Sequence, residues 1–237
     1  MKQPAPPGPS LPDWTPRSPP PRVPIAGRWA RLEPLDAAAH GASLWDAVRG
    51  TDDLWAYMAD GPFVDEAQFC DWLRARENLV DPLAFVVVDQ ASGRALGLLA
   101  LLAIRPESGT IEIGQVLFSP LLQRTRMASD AIYLAARLVF DGLGYRRLEW
   151  KCDDFNAASK RAALRFGFRF EGVFQQHMVV KQRNRDTAWH ALLDRDWPGA
   201  RGAFERWLAP DNFDAEGRQR SKLRSEAALT PPFVSPG

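Results

Sequence analysis

The sequence predicts one α/β domain, a central sheet flanked by helices. Three observations predict it. Apolar runs of strand length alternate with segments of helical periodicity from residue 27 to residue 208. Asp, Asn, Gly and Pro punctuate the joins between them. A length of 237 residues, with 30 basic and 29 acidic side chains, suits one large domain with tails.

Half of the 20 prolines fall within the first 24 residues. Proline fixes φ and donates no backbone hydrogen bond, so residues 1–24 are expected to be extended or wrapped over the surface, with Trp14 as an anchor. GRWARLEPL (27–35) reads as the first strand, and DAAAHGASLWDAV (36–48) as a helix capped by Asp36. DEAQFCDWLRAREN (65–78) is a second amphipathic helix, with Phe69, Trp72 and Leu73 at spacings of three and four.

LAFVVVD (83–89), a turn at ASGR, and ALGLLALLAI (95–104) read as a β-hairpin, and TIEIGQVLFS (110–119) as a further strand. The helix after Gln123 is the clearest, because Ala131, Leu134, Ala135, Leu138 and Val139 form one apolar stripe. Gly142 and Gly144 can end it. In YRRLEWKCD (145–153), Leu148, Trp150 and Cys152 alternate with Arg147, Glu149 and Lys151, as a strand requires.

Asn156 caps the short helix NAASKRAALRF, Gly167 closes it, and FRFEGVF (168–174) is the next strand. DTAWHALL (186–193) is the last strand and DRDWPGARGAFERWL (194–208) the last helix. The expected division is therefore a Pro-rich segment over 1–24, the domain over 25–217, and a tail over 218–237.

The order of strands and helices is also that of half a doubly wound nucleotide-binding fold. No G-x-G-x-x-G follows a strand, however, and no G-x-x-x-x-G-K-[ST] occurs. The balanced charge gives no footprint for nucleic acid. Cys70 and Cys152 lie far apart, as do His40, His177 and His190, so reduced thiols and no metal site are expected. The N-terminus lacks the apolar core of a signal peptide, and no segment has the roughly 18 apolar residues of a membrane span. A cytoplasmic location, with no membrane partner, is the expectation.

Chemistry concentrates in two stretches. SPLLQRTRMASDA (119–131) leaves a strand and starts a helix, so unpaired amides and the helix dipole, with Arg124 and Arg126, would attract an anion such as a pyrophosphate. A solvated basic loop is the alternative. DDFNAASKRAALRFGFRFEG (153–172) places Asn156 at a strand exit, Ser159 three residues on, and Gly-Phe before the next strand.

With these residues the chain resembles the GNAT superfamily of acyl-CoA-dependent N-acyltransferases, in particular the ribosomal-protein alanine and serine N-acetyltransferase branch. The resemblance spans about residues 27 to 197 and is most specific from Glu112 to Gly172. It implies a GNAT fold with a mixed, mostly antiparallel central sheet, acetyl-CoA or another short acyl-CoA as co-substrate, and no metal. The family's pyrophosphate turn, Q/R-x-x-G-x-G/A, falls on Gln123, Arg124, Thr125, Arg126, Met127 and Ala128. Arg126 replaces the middle glycine, and its charge would serve the pyrophosphate instead.

By the same resemblance the backbone of Leu117 and Phe118 pairs with the pantetheine arm, Asn156 contacts it, and Ser159 lies near the thioester sulfur. Plain helix capping is the alternative for Asn156 and Ser159. Ala163 stands where many relatives carry an acidic tyrosine, a lack shared with the ribosomal-protein branch, which leaves Ser159 or water to protonate the thiolate. Glu112 is the expected base, acting through water, and an N–H near Val116 or Leu117 would hold the oxyanion. A solvated strand glutamate is the alternative for Glu112.

The acceptor is expected to be a primary amine of a small molecule, a protein N-terminus or a lysine, met by Asp52, Asp53, Trp55, Tyr57 and Met58 as acidic rims and aromatic walls. Asp186 or Trp189 would line the same pocket, whereas His177 and His190 read as structural. Trp45, Trp72 and Trp150 read as core. Acetyl is the expected acyl group and succinyl an open alternative. A homodimer is compatible with this reading. The rival is a non-catalytic coenzyme A-binding regulatory module, for which the missing glycine and tyrosine speak.

Overall fold

A computed structural model describes residues 8–223. Eight strands form one sheet in the order β1-β2-β3-β4-β5-β6-β8-β7. They are β1 (Ile25–Ala26), β2 (Ala30–Pro34), β3 (Leu83–Asp89), β4 (Ala95–Arg105), β5 (Thr110–Phe118), β6 (Arg147–Asp153), β7 (Arg169–Val180) and β8 (Arg183–Leu193). All neighbours run antiparallel except β5 and β6, which are joined by a helical crossover and run parallel. The mixed, mostly antiparallel sheet expected from the resemblance is therefore present.

Helices α1 (Ala37–Val48) and α2 (Glu66–Glu77) cover one face, and α3 (Arg126–Arg137) and α5 (Trp197–Leu208) the other, with α4 (Ala157–Arg165) packed on β6 and β7. Alternation along β3 explains both layers. Phe85 and Val87 point into the α3 core, while Ala84, Val86 and Val88 point towards α1 and α2. Such a strand is buried on both sides and reads as a continuous apolar run.

The expected cap at Asp36 forms, accepting from the Ala39 amide at 2.9 Å, and Asp65 caps α2 in the same way, accepting from the Gln68 amide at 2.9 Å. The stripe helix ends in a π-helical turn over Leu138–Gly142, and Gly144 supplies the positive φ of 67° beyond it.

The Pro-rich segment wraps the fold where it is described. Trp14 donates from Nε1 to the Glu107 carbonyl at 2.8 Å, and Arg17 donates to the Gly144 carbonyl at 2.8 Å. At the other end, Trp207 donates to Gln219 and the Ser221 amide donates to Asn212, so residues 218–223 lie back on α5 and bury Leu223. The outer parts of both expected tails, residues 1–7 and 224–237, lie outside the described residues.

Candidate active site

Strands β5 and β6 pair only at Thr110↔Arg147, Ile111↔Leu148 and Glu112↔Glu149. Beyond Glu112 they part, and the β6-facing edge of β5 from Ile113 to Phe118 is left without a strand partner. A β-bulge accompanies the divergence: between Gly114↔Ala100 and Leu117↔Leu98, Gln115 and Val116 of β5 oppose Leu99 alone, one extra residue, with Gln115 at φ 49°. The backbone of Leu117 and Phe118 thus borders a gap the width of an absent strand. An extended ligand with its own amides, such as a pantetheine arm, can satisfy that edge.

The chain then turns into α3. Thr125 caps this helix, accepting from the Ala128 amide at 3.2 Å and donating to the Leu122 carbonyl at 2.7 Å. Gln123 donates from its side chain to the Phe118 carbonyl at 2.9 Å, tying the turn to the end of β5. The amides of Arg124, Arg126 and Met127 have no acceptor among the described residues. Three donors at the positive end of a helix make an anion cradle.

Two of the expectations about this turn change. The residue with left-handed backbone is Arg124, at φ 63°. Arg126, in the place of the family's glycine, is the first residue of α3 and is not among the positive-φ positions, so an arginine fits there without strain. Its side chain, expected to serve the pyrophosphate, is engaged with two aromatic rings. The guanidinium lies 3.6 Å from the centre of the Trp29 ring and 5.5 Å from that of Phe213, on the side of β2 and the C-terminal turn. Arg124 is the exposed cation left at the cradle.

Across the gap, Asn156 caps α4 by accepting from the Ser159 amide at 3.0 Å. Its carboxamide nitrogen has no protein acceptor among the described residues and is free to donate. Ser159 accepts at Oγ from Trp150 Nε1 at 2.9 Å, which docks α4 on β6. Burial pushes the nearby Cys152 thiol up. Ala163 is fully buried against the core.

Glu112 stands where the strands part. It shares Lys151 with Glu149: the ammonium lies 2.8 Å from Glu112 and 2.7 Å from Glu149. Burial pushes the Glu112 carboxyl above its usual range against the pull of Lys151. Burial pushes Glu149 up as well, yet Lys151 and Arg147 together hold it below the carboxylate range. Of two carboxylates on one ammonium, Glu112 is the one poised to take a proton. Its alternative reading as a solvated strand residue does not hold, since it is only 8% exposed.

The face that carries Glu112 opens into a cleft. A depression of about 680 Å³ between residues 50–54, Pro120 and Gln123 meets one of about 750 Å³ between residues 52–57, Asp153, Phe155 and the β7–β8 hairpin. Asp52 and Asp53 line both. Tyr57 donates to the Phe155 carbonyl at 3.1 Å, and Lys181 to that of Trp55 at 2.9 Å, so the loop and the hairpin bridge over the opening.

Several expected wall residues are otherwise employed. Trp55 borders the cleft as expected, yet it is 3% exposed and also joins an aromatic cluster with Phe63, Phe69 and Trp72, and Met58 packs beside it. Asp186 accepts from the Gln176 amide and from Asn184, which fixes the β7 bulge instead of lining the pocket. Trp189 lies under Lys151, 4.0 Å from the ring centre. His177 is bonded to Thr187 and His190 is buried, both in the sheet. Phe155, Arg183 and Arg185 also line the cleft; the resemblance put residues 181–190 on this side without singling out either arginine.

Residues 30–169, more than half of the chain, match the family model for an acetyltransferase (GNAT) domain. The chain belongs to the GNAT acetyltransferase family. A GCN5-related N-acetyltransferase from Brucella melitensis is 46% identical, with a TM-score of 0.89 over 93% of this chain and all of its own. A GNAT-family chain from Chromobacterium violaceum is 44% identical, with a TM-score of 0.77 over 84% of this chain and all of its own. One from Vibrio cholerae, named as a ribosomal-protein-serine acetyltransferase, shares the fold at 19% identity, with a TM-score of 0.63 over 73% of this chain and 98% of its own. No protein of curated function matches.

This GNAT chain is accordingly an N-acetyltransferase, and acetyl-CoA is the family's co-substrate. The cradle at α3, the strand-wide gap and the donor on Asn156 fit that molecule end to end. No cluster of metal-binding side chains and no helix long and apolar enough to cross a membrane occurs among the described residues.

Proposed function

We propose that the protein transfers an acetyl group directly from coenzyme A to a primary amine that enters through the cleft beneath residues 52–57. The observation that carries this reading is Glu112, a buried proton acceptor placed at the point where β5 and β6 separate. In this account the amides of Arg124, Arg126 and Met127 hold the pyrophosphate, with Thr125 and Ala128 shaping the turn. Asn156, Leu117 and Phe118 hold the pantetheine.

A neutral amine attacks the thioester carbonyl. The C–N bond forms and the C–S bond breaks, while the amine gives up its proton to Glu112 through water. The bulge amides near Val116 and Leu117 stabilise the oxyanion. The leaving thiolate takes a proton from water. Succinyl transfer and a ribosomal-protein, other protein or small-molecule acceptor remain within the same chemistry.

The rival reading, a coenzyme-binding module without catalysis, loses one of its supports, because the backbone tolerates the missing glycine. The missing tyrosine stands, and against it is set the buried carboxylate of Glu112, whose pKa burial raises. The test is acetyl-CoA consumption with a panel of amines. Turnover that Glu112→Gln abolishes supports the proposal; tight coenzyme binding with no turnover on any amine would favour the module.

A further inference from the structure

Residues at every second position of β8 share a face of the sheet. Lys151 opposes Trp189 and Asp153 opposes Thr187, so Trp189, Thr187 and Arg185 run from the Glu112–Lys151 pair outwards into the cleft. Arg185 is half-buried, and its Nε is shielded from solvent without a hydrogen-bond partner. The guanidinium makes no hydrogen bond or ion pair among the described residues. It lies close enough to Glu112 and Cys152 to act electrostatically on both.

This isolation is unusual for its setting. A guanidinium carries five donors, and leaving even one of them desolvated and unmet is costly. Arg147, on the same face, is paired with Glu149 and Glu171. Two aspartates stand near Arg185, yet Asp153 accepts from the Phe155 amide, and Asp186 accepts from Gln176 and Asn184. Arg185 is held in the cleft with its fork unfilled. The opposite wall carries Asp52 and Asp53.

We propose that Arg185 anchors a carboxylate brought into the acceptor cleft, so that this anion is clamped on β8 while the amine is presented to Glu112. The inference rests on the acyl-transfer reading above and adds a substrate class to it. The carboxylate has two sources with the same chemistry. It can belong to the acceptor, which would then be amino-acid-like, its ammonium facing Asp52 and Asp53. It can instead be the free end of a dicarboxylic acyl chain, as in succinyl-CoA.

Two binding arms separate these sources without requiring turnover. In the first, L-amino acids and their α-amides are titrated against the full-length protein saturated with coenzyme A. In the second, succinyl-CoA and acetyl-CoA are compared by calorimetry. The proposal expects wild type to favour the carboxylate form in one arm. Arg185→Gln should cut that preference by about 10- to 100-fold, the worth of a charge-assisted bidentate pair. Arg185→Lys should restore part of it, and Arg183→Gln, at an exposed site in the same cleft, should change it less.

A preference that survives Arg185→Gln, or no preference by wild type in either arm, overturns the proposal. In both cases normal acetyl-CoA binding leaves the acyl-transfer reading standing. Failure of wild type to bind acetyl-CoA would remove both. The Arg185→Lys variant, which keeps the charge, separates loss of the anchor from loss of the fold.

Discussion

The two sides of the site are built differently. The proposed coenzyme side is mostly backbone, unpaired amides at the start of α3 and an unpaired strand edge on β5, with one side chain, the Asn156 carboxamide that caps α4. The acceptor side is made of side chains from three distant stretches, residues 52–57, 153–155 and 180–185. Backbone donors recognise what every family member uses, a pyrophosphate and an extended arm. Side chains on loops can change without disturbing the sheet, so they carry what is particular to this chain.

That contrast predicts graded effects. The largest belongs to Glu112, which faces both sides. Glu112→Gln should lower kcat/KM by about 100-fold or more while leaving acetyl-CoA affinity intact, as loss of a general base requires. The base works only when deprotonated, and its pKa is raised. The wild-type rate should therefore rise with pH above the usual carboxylate range, and Glu112→Gln should lack that limb. A pH–rate profile unchanged in shape would assign the proton to another group.

Asn156→Ala should act on the coenzyme side alone. Loss of the cap costs about 1 kcal/mol, which lowers Tm by roughly 2–4 °C in a chain of this size. Loss of its donor should weaken acetyl-CoA binding by about tenfold, one hydrogen bond's worth. Calorimetry and a melting curve read the two separately.

The sequence carried the backbone half of this comparison and little of the other. Caps, turns and strand alternation are local, so Asp36, Asn156 and the stripe helix were legible from spacing, although the cap at Asp65 was not read. Thr125 was placed in the turn, but its role as the cap of α3 was not read. The gap between β5 and β6 came from the resemblance, because a bulge at Gln115 leaves no mark in a run of apolar residues. The acceptor wall depends on tertiary placement. Trp55 looked like a free aromatic wall until α2 brought Phe69 and Trp72 against it. Arg185 was not singled out within residues 181–190, since one arginine among several at a hairpin shows nothing of whether it is paired.

Smaller effects sharpen the picture. Ser159→Ala should reduce kcat by less than about tenfold, well short of what a committed general acid supplies. A loss of roughly 100-fold or more would return the acid role to its hydroxyl. Arg126→Ala should be the mildest for the coenzyme: affinity holds, while stability falls by about 1 kcal/mol as the stack on Trp29 is lost. Weakened coenzyme binding, recovered at low salt, would place its charge back at the pyrophosphate.

The most direct measurement is a calorimetric comparison of acetyl-CoA with S-acetylpantetheine, which keeps the thioester and arm but lacks the nucleotide and pyrophosphate. If the α3 turn holds the pyrophosphate and the β5–β6 gap holds the arm, acetyl-CoA binds saturably at one site, and S-acetylpantetheine binds the same site far more weakly. Equal affinity for the two, or binding of neither, would contradict that account.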